Sequence, residues 1–138
     1  MEELAELFQA RNRFVERLAR EEDPLGRARE VLASLPEEER VEALNHHPRI
    51  GERRLSGRSA AEQGDAASED EAVLDELARL NAVYEERFGF RFVVFVNRRP
   101  RAALLPVLRE RLERDRSTEL ETGCDELVAI ARDRWQTR

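Results

Sequence analysis

The chain has 138 residues, with 41% hydrophobic and 39% charged side chains, a size and mix that suit one compact domain with a heavily solvated surface and not a disordered chain. A net charge of −6, with arginines scattered among Glu and Asp, argues against a nucleic-acid partner held by a basic face. The one cysteine, Cys124, rules out an intrachain disulfide and zinc sites built on several cysteines.

Leu4, Leu7, Phe8, Phe14, Val15 and Leu18 fall on one face of a helix of about five turns. Asp23-Pro24 reads as an N-cap with proline in the first turn, opening a helix through Val31 and Leu32. Ser34-Leu35-Pro36 repeats that signal and predicts a helix from Pro36 to about His46. The stretch from His47 to Arg58 holds Pro48, Gly51 and Gly57 and reads as a loop. Ser59-x-x-Glu62 and Ser68-x-x-Glu71 each resemble a capping box. Val73, Leu77, Leu80, Tyr84 and Phe88 then recur at helical spacing, with Gly89 as the stop.

The run Phe90-Arg91-Phe92-Val93-Val94-Phe95-Val96 is strand-like by propensity, yet no partner strand is visible elsewhere. We therefore expect a buried extended segment near residues 91–97, covered by helices, whose free backbone groups can bind a ligand. Pro100 opens a further helix that buries Leu104, Leu105, Leu108 and Leu112, and Ser117 is expected to cap the last one. In that last helix Leu120, Cys124, Leu127, Ala131 and Trp135 share a face, with Cys124 as a small core residue. The N-terminus is acidic and lacks an apolar signal region, and the C-terminal Gln136-Thr137-Arg138 is no peroxisomal address. No apolar run approaches the roughly 20 residues a bilayer span needs. A cytoplasmic protein with no membrane contact is the expectation.

Three places carry candidate chemistry. His46 and His47 are the only histidines, and Pro48 pushes His47 out of helical geometry, where its side chain can project into a cleft. A helix-terminal histidine favoured by the dipole explains the same pattern. Ser59, Glu62 and Gln63 cluster at a helix start, where backbone N–H groups favour anions, although simple capping accounts for Ser59 and Glu62. Arg134 falls inside the apolar face of the last helix, whereas Arg132 falls outside it. An arginine there needs an anionic ligand or an ion-pair partner. Glycine-rich phosphate loops and nucleophile elbows are missing, and two adjacent histidines on a helix diverge too far to share a metal.

Together these residues resemble the 2-oxo-4-hydroxy-4-carboxy-5-ureidoimidazoline (OHCU) decarboxylase family. The similarity rests on His47-Pro48-Arg49-Ile50-Gly51, on Ser59-Ala60-Ala61-Glu62-Gln63 and on the run from Leu80 to Phe92. Glu119-Leu120 and the closing Ile130-Ala131-Arg132-Asp133-Arg134 complete it, in the family's order. The resemblance implies a single all-α domain over residues 1–138, a bundle of about seven helices that is often a homodimer. It implies conversion of OHCU into (S)-allantoin and carbon dioxide, within urate breakdown, without a metal or organic cofactor. It places the catalytic pair on His47 and Glu62 and the substrate contacts on Pro48, Ser59, Gln63, Arg134 and the backbone around Phe92 and Val93.

The chain departs from the family pattern at Arg49, where many members have aspartate, and at Arg91, where proline is usual. Its N-terminal third is short and lacks a proline–phenylalanine segment common there. A related cofactor-free lyase or hydrolase on another ureide, or a non-catalytic helical interaction module, are the other readings. Turnover of freshly made OHCU separates the first, and whether His47, Glu62 and Arg134 face one cleft separates the second.

Overall fold

The computed structural model of the protein describes residues 2–50 and 67–137, so Ser59, Glu62 and Gln63 lie outside the described residues. The described residues form seven α-helices, one 3-10 turn and no strand. The all-helical expectation holds.

The apolar pattern from Leu4 to Leu18 predicts one helix, but the structure has two, α1 (Glu2–Phe8) and α2 (Arg13–Leu18). Gln9 takes a left-handed conformation, φ 53°. The N–H of Gln9 donates to the Glu6 carbonyl at 3.3 Å, and that of Ala10 to the Ala5 carbonyl at 3.1 Å. These two bonds form a Schellman stop. Asn12 then caps α2, its Oδ1 accepting from the Val15 N–H at 2.9 Å. Phe8 and Phe14 meet edge-to-face at 4.9 Å and fix the corner. Both halves keep their apolar residues inside, which is why the periodicity survives the break.

Helix α3 (Pro24–Ser34) begins as expected, with Asp23 Oδ1 accepting from the Gly26 N–H at 3.3 Å. Ser34 does not cap the next helix. Its hydroxyl donates to the Val31 carbonyl at 2.6 Å and closes α3 instead. Helix α4 (Glu37–Asn45) starts after Pro36 without a side-chain cap, and Glu37, Glu38 and Glu39 suit the positive end of its dipole.

Helix α5 (Ala67–Phe88) already contains Ser68, so the second capping box does not lie ahead of a helix. It buries Leu74, Leu77, Leu80, Tyr84 and Phe88, and Gly89 at φ 81° ends it as expected.

Residues 91–96 are extended and unpaired in any sheet, with Phe92, Val93 and Val94 buried. Side chains take the place of a ladder. The Arg91 N–H donates to Asn45 Oδ1 at 2.9 Å, and the Phe95 N–H to Glu126 Oε1 at 3.4 Å. The Val93 carbonyl accepts from Arg111 Nη1 at 2.6 Å. Asn97 and Arg98, both left-handed at φ 49° and 62°, turn the chain, and the Arg99 N–H closes that turn on the Val96 carbonyl at 3.0 Å.

After Pro100 comes the 3-10 turn (Arg101–Ala103) and then α6 (Leu104–Leu112), which packs on α5. Helix α7 (Arg116–Thr137) is capped by Asp115 and not by Ser117, since the Thr118 N–H donates to Asp115 Oδ1 at 2.8 Å. It packs against α1, α3 and α4 and buries Leu120, Cys124, Leu127 and Ala131. Each large apolar side chain so buried contributes about 1.5–3 kcal/mol. Burial pushes the Cys124 thiol up to about 11, as befits a core residue. Trp135 departs from the expected face and is 38% exposed, because the last turn of α7 runs past the core.

Candidate active site

Helix α4 ends at Asn45, and the His47 N–H closes the turn on the Leu44 carbonyl at 3.1 Å. Pro48 then prevents further helix, which turns the two histidines to different surroundings. His46 is exposed, with Nδ1 3.3 Å from Asn12 Nδ2. His47 is 8% exposed, and its buried Nδ1 has no hydrogen-bond partner among the described residues. Burial, then the guanidinium charges of Arg134 and Arg91, push its pKa down to about 4. The imidazole is therefore neutral near pH 7.

Arg134 is half-buried at the end of α7, as the helical pattern requires, while Arg132 lies outside and donates to the Leu25 carbonyl. Arg134 Nη1 donates to the Leu7 carbonyl at 2.7 Å and Nη2 to Gln9 Oε1 at 3.0 Å. Burial works against its charge, and the neighbouring Asp133 offsets this in part.

His47 and Arg134 line one cleft of about 280 Å³, together with Ile50, Ile130, Asp133 and the chain from Val94 to Arg98. Two of the three groups singled out in the sequence thus share a cavity, and Glu62 lies outside the described residues. Pro48 adjoins the cleft in sequence but is not part of its lining, and the extended segment lines it from Val94 onward. Phe92 and Val93 point to the core. Phe92 packs on Tyr84 at 5.2 Å, and the Val93 carbonyl is taken by Arg111. A larger cleft of about 440 Å³ between α1, α3 and the end of α7 is lined by Leu4, Leu7, Leu25 and Trp135, with neither histidine. The smaller cleft, which holds His47, is the candidate site. Among the described residues, no three His, Cys, Asp or Glu side chains converge as metal ligands would.

Sequence reasoning missed the groups that hold this cleft in place. Asn81 is buried and donates from Nδ2 to the Ile50 carbonyl at 3.0 Å, fixing the loop after His47. Arg111 donates from Nε to Glu119 Oε1 at 2.7 Å, and Tyr84 donates its hydroxyl to the same oxygen at 2.6 Å. The Arg111 guanidinium also lies over Phe92, 4.5 Å from the ring centre. Burial and the Glu119 contact raise the Tyr84 pKa, so its proton stays in place. Arg111 sits seven residues after Leu104, inside an apolar face, the same position that marks Arg134 in its own helix.

The OHCU decarboxylase family model matches residues 1–136. The 2-oxo-4-hydroxy-4-carboxy-5-ureidoimidazoline decarboxylase of Haloferax volcanii is 36% identical over 97 residues, 68% of this chain and 58% of that protein. The uric acid degradation bifunctional protein TTL of Arabidopsis thaliana is 35% identical over 98 residues, 65% of this chain and 30% of that protein. The match therefore spans little more than half of the first relative and under a third of the second. A crystal structure of an OHCU decarboxylase in the presence of (S)-allantoin superposes with a TM-score of 0.69 at 29% identity, covering 88% of this chain and 86% of that one. A structure of (S)-allantoin synthase superposes with the same TM-score of 0.69 at 17% identity, over 99% of this chain and 48% of that one, and speaks to the fold alone. By its sequence and its fold, the chain belongs to the OHCU decarboxylase family.

Proposed function

We propose that the protein decarboxylates OHCU to (S)-allantoin and carbon dioxide in urate breakdown, with His47 and Glu62 as the catalytic pair. The observation that carries this reading is the shared cleft, in which a neutral imidazole, its Nδ1 without a partner among the described residues, and a half-buried guanidinium face the same cavity. Family membership and the superposition on an OHCU decarboxylase with (S)-allantoin support it.

In this reaction the bond from the ring carbon to the carboxylate breaks and carbon dioxide leaves. The electron pair moves into the adjacent carbon–nitrogen double bond, so the substrate supplies its own electron sink and needs no cofactor for it. The nitrogen that receives the pair takes a proton from solvent. Neutral His47 accepts the proton of the substrate hydroxyl and returns it to the neighbouring carbon, on one face. Glu62 accepts a hydrogen bond from that hydroxyl or a ring nitrogen and polarises it. Arg134 and Gln63 hold the anionic and ureido groups, with Ser59 and the backbone that follows Phe92 and Val93, from Val94 onward, completing the contacts. The anionic substrate offsets the guanidinium charges around His47 and makes the transient imidazolium less costly. A homodimer in the cytoplasm, acting on this small molecule and not on nucleic acid, completes the proposal. No helix among the described residues is long and apolar enough to cross a membrane.

The test is incubation with freshly prepared OHCU, following carbon dioxide release and the circular dichroism of the allantoin formed. Optically active (S)-allantoin, formed faster than the spontaneous reaction allows, is the expected result. Racemic product at the background rate would overturn the assignment.

A further inference from the structure

A second, polar cleft of about 250 Å³ has a lining that includes Asn45, Arg49, Glu85 and Arg91. Arg91 stands at the junction of the two. Its main-chain N–H donates to Asn45 Oδ1 at 2.9 Å, and its guanidinium Nη1 donates to the His47 carbonyl at 3.0 Å. These two bonds clamp the end of α4 to the first residue of the extended segment, and the segment lines the His47 cleft three residues later. The neighbouring arginine is engaged elsewhere, since Arg49 makes a forked pair with Glu85 at 2.8 and 2.9 Å.

We propose that Arg91 is a positioning residue: through the bond from its guanidinium to the His47 carbonyl it holds the His47 loop, and with it the imidazole, in the place from which proton transfer starts. Arg91 lines the second cleft and not the His47 cleft, so it acts through His47. The inference rests on the assignment of His47 as the proton-transferring group. Among the described residues, the charged and titratable groups around His47 are Arg91 from the extended segment, Arg98 from the turn that follows it, Asp133 and Arg134 from α7, and His46 and the Glu85-paired Arg49 nearby in its own loop. Of these, Arg91 alone also bonds the His47 main chain. The fixed charge of Arg91 adds to that of Arg134 in disfavouring the imidazolium.

The test is NMR titration of both histidines in the wild type and in Arg91→Gln and Arg91→Lys, with the pH profile of kcat/KM measured alongside. His46, beside Asn12, is the internal reference. Loss of the positive charge favours the imidazolium, so Arg91→Gln is expected to raise the His47 titration by about half a pH unit or more. The acid limb of kcat/KM should move to higher pH by the same amount. Arg91→Lys, which keeps the charge, should restore the wild-type titration. If Arg91→Gln does not fold, Arg91→Met removes the charge with a stem of similar reach. An unmoved His47 titration, with only a lowered Tm, overturns the proposal. A moved titration in a protein that leaves OHCU untouched would sustain the role of Arg91 and sink the decarboxylase reading instead.

Discussion

Arg134 donates from Nη1 to the main-chain carbonyl of Leu7 at 2.7 Å, so the guanidinium of the cleft also ties α7 to the end of α1. Arg134→Ala removes both roles. KM should rise about tenfold or more, the equivalent of one charge-assisted hydrogen bond of about 1.5–3 kcal/mol. Tm should fall by only a few degrees, for the lost Leu7 contact of about 1 kcal/mol. Steady-state kinetics beside thermal melts check this, and an unchanged KM with a large fall in Tm would leave Arg134 a structural tie alone.

His47→Ala and Glu62→Ala should each lower kcat by at least about two orders of magnitude, the lower end of what general acid–base help supplies. Far-ultraviolet circular dichroism should stay helical in both. Near-normal turnover by either variant would contradict its assignment.

The depressed His47 pKa makes stability depend on pH. In the unfolded chain the imidazole takes its proton near pH 6.5, whereas in the folded protein it resists down to about pH 4. The unfolded state therefore binds more protons between those values. The contribution of neutral His47 is fully present above pH 6.5 and is lost as pH falls toward 4, to a total of about 3 kcal/mol. Urea unfolding of the wild type and His47→Gln across this range should show curves that converge toward acid pH. Parallel curves would refute it.

Breaking the buried pair of Arg111 and Glu119 is expected to be the most damaging change to the fold. Arg111 is 3% exposed and Glu119 fully buried, and without Arg111 the carboxylate keeps only the more distant Arg114 Nη1, 3.8 Å from Oε2, as an ionic partner among the described residues. Arg111→Ala should cost about 3–5 kcal/mol. The double variant Arg111→Met/Glu119→Gln should recover much of that, because no charge remains buried. Equilibrium unfolding of the single and double variants measures the difference.

Helix periodicity, the Asp23-Pro24 start and the Gly89 stop were legible in the chain, because each depends on local backbone preferences. The unpaired state of Phe90 to Val96 was legible as well, from the lack of any partner strand. The break at Gln9 was not, since a non-glycine residue in the left-handed region carries no mark in the pattern, although Asn12 is a good cap. Ser34 and Ser117 misled for the opposite reason. A serine near a helix end can cap the next helix or close the last, and a nearby aspartate can take its place. In the site, His47 followed from Pro48, and Arg134 from its place on an apolar face. The partners of the extended segment, Asn45, Arg111 and Glu126, became visible only when distant helices converged on it.

The extended segment has its polar backbone atoms met by side chains from α4, α6 and α7 in place of a neighbouring strand. Each helix that anchors it thus holds a share of one wall of the His47 cleft. Loosening of any one of them reaches that wall as a displaced peptide group. The cleft is therefore a gauge of the tightness of the whole bundle, and the proposed activity should fade before the helices themselves come apart.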